Sequence, residues 1–291
     1  MRALQLLIAV FVSLVALPAI AVAPAVVEAV QAPAWLDRSG FTSPLVPGMA
    51  LQNGDLIRTG AGARAYLMLA EGSQVKLGES SRFAVYSRSI DPRKYFRGAL
   101  DVLAGAFRYT TTAVAKQRKR DLSIRVSTAT IGIRGTDIWG RTDPQGEFIA
   151  LLDGRIDITR AGEITELAVP MTYFDAPRGQ AAVVKPLDVA LLKSISRQTE
   201  IEAGDGAAWR KGSWRAVVSV AESNEAALEM YDRLQEAGFG ARIRPVAADA
   251  TAVSKVWNYE VALTGFANEA EAQRASNRLK ALTGLEAKVM R

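Results

Sequence analysis

From about Val46 to Val184 apolar and polar residues alternate with period two, broken by turn signals roughly every eight to twelve residues, the pattern of short half-buried antiparallel strands. In "ARAYLMLAEGSQVKLG", Tyr66, Met68 and Ala70 share one face while Leu67 and Leu69 share the other. Glu71-Gly72 supplies the turn between the two strands. "EFIALLDGRIDITRAGEITELAV" predicts a second hairpin at Asp153-Gly154. "NGDLIRTG", "LDVLAGAFRY" and "DLSIRVSTATIGIRG" add further strands. The reading is an all-β domain over 46–185, a hairpin-rich sandwich, roll or solenoid.

The pattern changes at Pro186. "LDVALLKSISRQ" places apolar residues at 187, 191, 192 and 195, a short amphipathic helix, and "EAGDGAAWRKGS" reads as a linker, so 186–213 joins two domains. Beyond it the element type alternates. "WRAVVSV" is a strand, and Ser223 or Asn224 caps a helix with apolar positions 227, 231 and 234 that ends near Gly238. "ARIRPV" and "WNYEVALTG" are strands. Asn268 and Glu271 have the spacing of a capping box before a helix that stops at Gly284, and "AKVM" closes the chain. The order β-α-β-β-α-β over 214–291 predicts a ferredoxin-like or RNP-like α+β domain with both helices on one face of an antiparallel sheet. Strict alternation turns Ala216, Val218 and Val220 toward the helices and Arg215, Val217 and Ser219 toward the open face. On the third strand Tyr259, Val261 and Leu263 point inward, and Glu260, Ala262 and Thr264 outward.

Residues 1–23 carry one basic residue and an apolar run ending in small residues, the layout of a secretory signal peptide with cleavage near 21–29, after Ala21 or Ala29. The same run approaches the length of a membrane anchor, so membrane attachment follows only if the leader stays uncleaved. Either way the expected location of the bulk of the chain is the periplasm. With only Met1 and Arg2 ahead of the apolar run, no cytoplasmic portion is expected.

Composition narrows the chemistry. The 291 residues contain neither cysteine nor histidine, which removes disulfides, thiolates, the Ser-His pair and His-ligated metals. No cofactor and no metal are expected, and the protein reads as a non-enzyme. The net charge is +6, yet Ser213–Arg291 holds ten basic and ten acidic residues, so the excess lies upstream. An exported basic protein meets anionic envelope polymers rather than nucleic acid. "KQRKR", Lys116 to Arg120, is a solvated loop tip or a contact for such a polymer. Asp137, Asp143, Glu147 and Asp153 are the carboxylates from which a hydrolase pair would be drawn, although each sits at a turn position.

The β-rich region resembles the FecR domain family in "GDLIRTGAGARAYLMLAEGSQVKLGESS", "STATIGIRGTDI" and "ALLDGRIDI". The resemblance implies an all-β periplasmic module, best known in regulators that relay an envelope signal to a cytoplasmic sigma factor. In the Ile-Gly-Ile-Arg-Gly-Thr core, Ile131, Ile133 and Ile138 are spaced as core residues. Gly132 and Gly135 let the backbone bend, and Arg134 pairs with a carboxylate or caps carbonyls. A Walker-type phosphate loop needs a lysine and a following helix, and neither is there.

Trp214–Arg291 resembles the SPOR domain in "WRAVVSV", "RLQEAGFGARI" and "YEVALTGFANEAEAQRASNRLK". That resemblance implies binding to peptidoglycan glycan strands lacking stem peptides. The chain departs from the family pattern at Val217, at Ala262 and at Thr264-Gly265-Phe266. Hydrogen-bonding groups for a glycan would come from Arg215, Ser219, Glu260 and Thr264, and an aromatic platform from Trp214 or Trp257. The expected partners are peptidoglycan glycan strands or an envelope protein recognised through the FecR-like domain.

Overall fold

The computed structural model describes residues 22–89, 95–116, 119–133, 135–248 and 257–291. The leader through residue 21, Arg134 and part of the "KQRKR" run lie outside the described residues.

Two antiparallel sheets face one another, and the chain visits them in turn. β1 (Ala25–Gln31) opens the first sheet; β2 (Ala34–Arg38) and β3 (Phe41–Pro44) lie in the second; β4 (Ala50–Leu51) touches the first, and β5 (Leu56–Thr59) returns to the second. The hairpin β6 (Arg64–Leu69) and β7 (Gln74–Leu77) is in the first sheet, and β8 (Arg82–Ser87) in the second. β9 (Tyr95–Thr110) belongs to both, its first half beside β8 and its second half beside β7. A single turn, α1 (Ala113–Lys116), precedes β10 (Lys119–Val126) and β11 (Ala129–Ile133) in the second sheet. Then β12 (Asp137–Asp143) and β13 (Gly146–Asp153) are in the first, β14 (Ile156–Arg160) and β15 (Glu163–Leu167) in the second, and β16 (Thr172–Pro177) and β17 (Val183–Pro186) in the first.

The second sheet therefore runs β3-β2-β5-β8-β9-β10-β11-β14-β15, antiparallel except for β9 and β10. Between the sheets lies a core including Leu67, Leu69, Phe83, Phe96, Phe107, Ile149 and Phe174. The strands begin ahead of Val46: Ala25, Val27 and Ala29 are fully buried, because β1 pairs with β6 and feeds the core.

Ile131, Ile133 and Ile138 are core residues, as their spacing predicts. The motif marks the point where the chain leaves the second sheet at β11 and enters the first at β12, with Gly135 at φ +79°. The predicted hairpin at Asp153-Gly154 does not form. Gly154, φ +87°, is the reverse crossing, from β13 to β14, and β14 pairs with β11 and β15. The two crossings lie against each other: a Cβ on Gly154 would come 2.6 Å from the carbonyl oxygen of Gly135. An Asp-Gly pair signals only a reversal that needs positive φ; which sheet receives the next strand depends on partners distant in sequence.

The predicted helix after the β domain is α2 (Val189–Thr199), with Asp188 as its N-cap. It covers the outer face of the first sheet, burying Ile195 with Leu187, Trp139 and Ala150. The linker contains an unpredicted two-residue strand, β18 (Ala208–Trp209). Ala208 and Trp209 pair with β1, and Ala208 also pairs with Phe266, so the sheets of the two domains are continuous.

The C-terminal domain has β19 (Trp214–Ala221), α3 (Asn224–Glu236), β20 (Ala241–Ala247), β21 (Trp257–Phe266), α4 (Glu269–Thr283) and β22 (Lys288–Met290). The strand order is β22-β19-β21-β20, all antiparallel, with both helices packed on one face over Ala216, Val261, Leu263 and Phe266. Ser223 caps α3 and Asn268 caps α4. Glu271 completes no capping box: its carboxylate accepts from the Gly204 and Gly206 backbone N–H groups at 2.6 and 2.7 Å, which ties the linker to α4. Trp35 Nε1 donates to the Glu236 carbonyl at 3.3 Å, and Ala34 N donates to the Gly238 carbonyl at 3.1 Å, joining the end of α3 to β2. Among the described residues no helix is long and apolar enough to cross a membrane.

Candidate glycan-binding face

The open face of the C-terminal sheet is set by register. β20 contributes Arg242 and Arg244, paired with Ala262 and Glu260 of β21. β19 contributes Arg215 and Val217, paired with Thr264 and Ala262. β22 adds Lys288 beside Val217. Directly paired residues of antiparallel strands share a face, so these side chains form one surface.

At its centre Glu260, only 8% exposed, is held by two arginines. Arg215 Nε donates to its Oε1 at 3.1 Å, and Arg244 Nη2 donates to Oε1 and Oε2 at 3.0 and 3.2 Å. Arg215 Nη1 also donates to the Arg291 carbonyl. Val217 and Ala262 form a flat apolar floor between these groups, nearly buried at 9% and 2% exposure. Arg215 and Arg244 hold the carboxylate, Arg242 and Lys288 stand beside Ala262 and Val217 on the same face, and Arg244 remains 55% exposed with donors to spare.

Of the six residues marked by the sequence, Arg215, Glu260 and Thr264 come together on this face. Ser219 does not. The register of β19 shifts at Val218, so Ser219 pairs with the core residue Val261 and Val220 pairs with Glu260. The bulge reverses the alternation beyond it: Ser219 Oγ is buried without a hydrogen-bond partner, while Val220 is 53% exposed. Trp214 pairs with Phe266 and packs against the helix-side core, and Trp257 occupies the same alternating row as Tyr259 and Val261. Neither tryptophan shares the open face with Glu260. Arg242 and Arg244 were missed, although the period-two spacing of "ARIRPV" places both on one side of its strand.

The carboxylates considered for hydrolysis are all engaged by cations. Arg108 forks onto Asp137 at 2.9 and 2.7 Å, Arg141 meets Asp143 at 3.1 Å, Arg160 meets Glu147 at 3.3 Å, and Lys116 lies 3.7 Å from Asp153. Arg108 continues into a network on the outer face of the first sheet. Its Nη1 donates to Glu200 at 2.9 Å; Lys76 and Tyr66 donate to the same carboxylate at 2.5 and 3.0 Å; and the Ile201 N–H donates to the Tyr66 hydroxyl. Burial opposes ionisation of Glu200, but the hydrogen bonds and charges of Lys76, Tyr66 and Arg108 outweigh it and hold its carboxyl below the usual range. Burial pushes the Tyr66 hydroxyl well above the ordinary tyrosine range, and the adjacent Glu200 adds to the shift. The network fixes the end of α2 to the β domain.

The FecR protein family model matches residues 55–157, and the SPOR domain model matches residues 211–291. The chain thus carries a FecR domain followed by a SPOR domain. No curated protein matches the chain. Two crystal structures of a protein assigned as an anti-sigma factor from Parabacteroides distasonis are similar to it, at 9% and 10% identity and TM-scores of 0.42 and 0.41. Each covers 79% of this chain, and the matches span 92% and 91% of those chains.

Proposed function

We propose that this is a non-enzymatic periplasmic protein of the cell envelope, in which the SPOR domain binds peptidoglycan glycan and so positions the FecR domain on the cell wall. The observation that carries the reading is the cationic open face around Glu260, with Arg215, Thr264 and Arg244 set across three neighbouring strands. Hydroxyl-rich chains are recognised by such convergent donors and acceptors. Removing a stem peptide hydrolyses an amide and frees a carboxylate on the sugar, so a stripped glycan presents regularly spaced anions. A face with four cations favours that polymer over one whose carboxylates are capped. Pelleting the mature chain with purified sacculi tests this: the chain is expected in the pellet, and its release is expected to rise with salt.

A second reading follows from the apolar floor. Val217 and Ala262 offer a glycan no hydrogen bonds, and no tryptophan stacks on this face. In that reading the protein is a signalling partner that recognises another envelope protein through the FecR domain. The exposed edge strand β17, with Val183 and Val184 at the rim of the first sheet, is the surface that would pair with it. Cross-linking in intact cells that returns a protein partner on β17, together with no pelleting on sacculi, selects this reading.

A further inference from the structure

A cavity of about 200 Å³ lies where the two domains meet, walled by β1, the 45–47 loop, the linker, the start of β20, the end of β21 and α4. Its apolar wall includes Leu45, Phe239 and Phe266. Three arginines line it, Arg210 from the linker, Arg242 from β20 and Arg278 from α4, and no Asp or Glu does so among the described residues.

Arg278 is the most enclosed of the three. Its Nη2 donates to the Ala61 carbonyl at 3.2 Å, while its Nε is buried with no hydrogen-bond partner. Burial, with the charge of Arg64, disfavours its cationic form; Asp205 and Glu79 pull the other way. Both of those carboxylates are already used, by the Glu202 N–H and the Gly62 N–H. Arg210 lays its stem on the loop at Gly48, within about 4 Å of where a Cβ would stand. Arg210 and Arg242 are exposed, so of the three only Arg278 places a buried donor at the cavity without a partner.

We infer that this interdomain cavity is a binding site for a compact amphipathic anion, a carboxylate or phosphate carried on a short apolar body. Its size leaves room for a small acid. The guanidinium groups take the charged head, and the wall of Leu45, Phe239 and Phe266 takes the apolar part. A ligand there touches β1, the linker and α4 together, so it stabilises the two domains in one arrangement. Arg242 and Thr264 line both this cavity and the glycan face, whereas Arg210 and Arg278 belong to the cavity alone, so the variants that test it are made at those two.

Calorimetric titration and thermal unfolding of the intact mature chain test the proposal with hexanoate, hexyl phosphate, hexanol and hexylammonium at one ionic strength. Saturable one-to-one binding of hexanoate or hexyl phosphate, with a rise in melting temperature, is expected, and the tighter of the two names the head group. Hexanol and hexylammonium are expected to bind at least tenfold more weakly. Arg278→Gln should lower affinity for the anion at least tenfold, and Arg210→Gln should lower it several-fold. If Arg278→Gln does not fold, Arg210→Gln carries the test, because its side chain lies in the linker rather than in a domain core. Equal binding of hexanol, no saturable binding of either anion, or unchanged affinity in every folded variant would overturn the inference.

Discussion

Arg244 grips both carboxylate oxygens of Glu260 across neighbouring strands, at 3.0 and 3.2 Å, while its own side chain stays 55% exposed. The two residues therefore differ in what they contribute. Glu260 is enclosed and holds two arginines in place; Arg244 is available to a ligand. Arg244→Ala is expected to change stability by less than about 1 kcal/mol yet weaken sacculus binding several-fold. Glu260→Ala leaves Arg215 and Arg244 without their shared counter-charge and should cost more than Arg244→Ala, about 1–2 kcal/mol. Urea unfolding and sacculus pelleting of both variants check the contrast.

Glu200 makes the stability of the β domain depend on acid. Its pKa is lowered in the folded chain. Its contribution is therefore full above the unfolded carboxyl value and disappears as pH falls through the folded one. Glu200→Gln should be less stable than the wild type at neutral pH, and the two unfolding curves should converge below about pH 4. Parallel curves across the whole acid range would mean that the network with Lys76 and Arg108 stores no pH-dependent stability.

The paired crossings at Gly135 and Gly154 make a backbone prediction. Gly154→Ala combines positive φ with a Cβ 2.6 Å from a carbonyl oxygen, and should destabilise by at least about 1 kcal/mol. Gly162→Ala at the exposed β14-β15 turn also has positive φ but meets nothing within 4 Å. It should cost less than Gly154→Ala, and chemical denaturation of the two variants measures the difference.

Much of this was legible in the chain. Period-two spacing found Ile131, Ile133 and Ile138, and the helix caps at Ser223 and Asn268 gave the order of the second domain, because these signals are local. What stayed hidden depends on contacts between distant residues. β18 exists only because β1 lies beside it. The Glu200 network joins positions more than ninety residues apart. The inversion of Ser219 and Val220 comes from one extra residue at Val218, which no alternation rule reveals.

β1 also bears on processing. Cleavage after Ala29 would remove Ala25, Val27 and Ala29 from the core and most of the strand that pairs with β6. Cleavage after Ala21 leaves the strand whole. On the proposed export, the mature protein is expected to begin at Val22, and mass spectrometry of its N-terminus checks it; a terminus at Val30 would contradict the role assigned to β1.

We propose that the C-terminal face reads stripped glycan. The most direct test of this is co-sedimentation of the mature protein with sacculi before and after amidase removes the stem peptides. Tighter binding to the amidase-treated wall, weakened by Arg244→Ala, is expected. Equal and negligible pelleting with both preparations, from a protein shown to be folded, would contradict it.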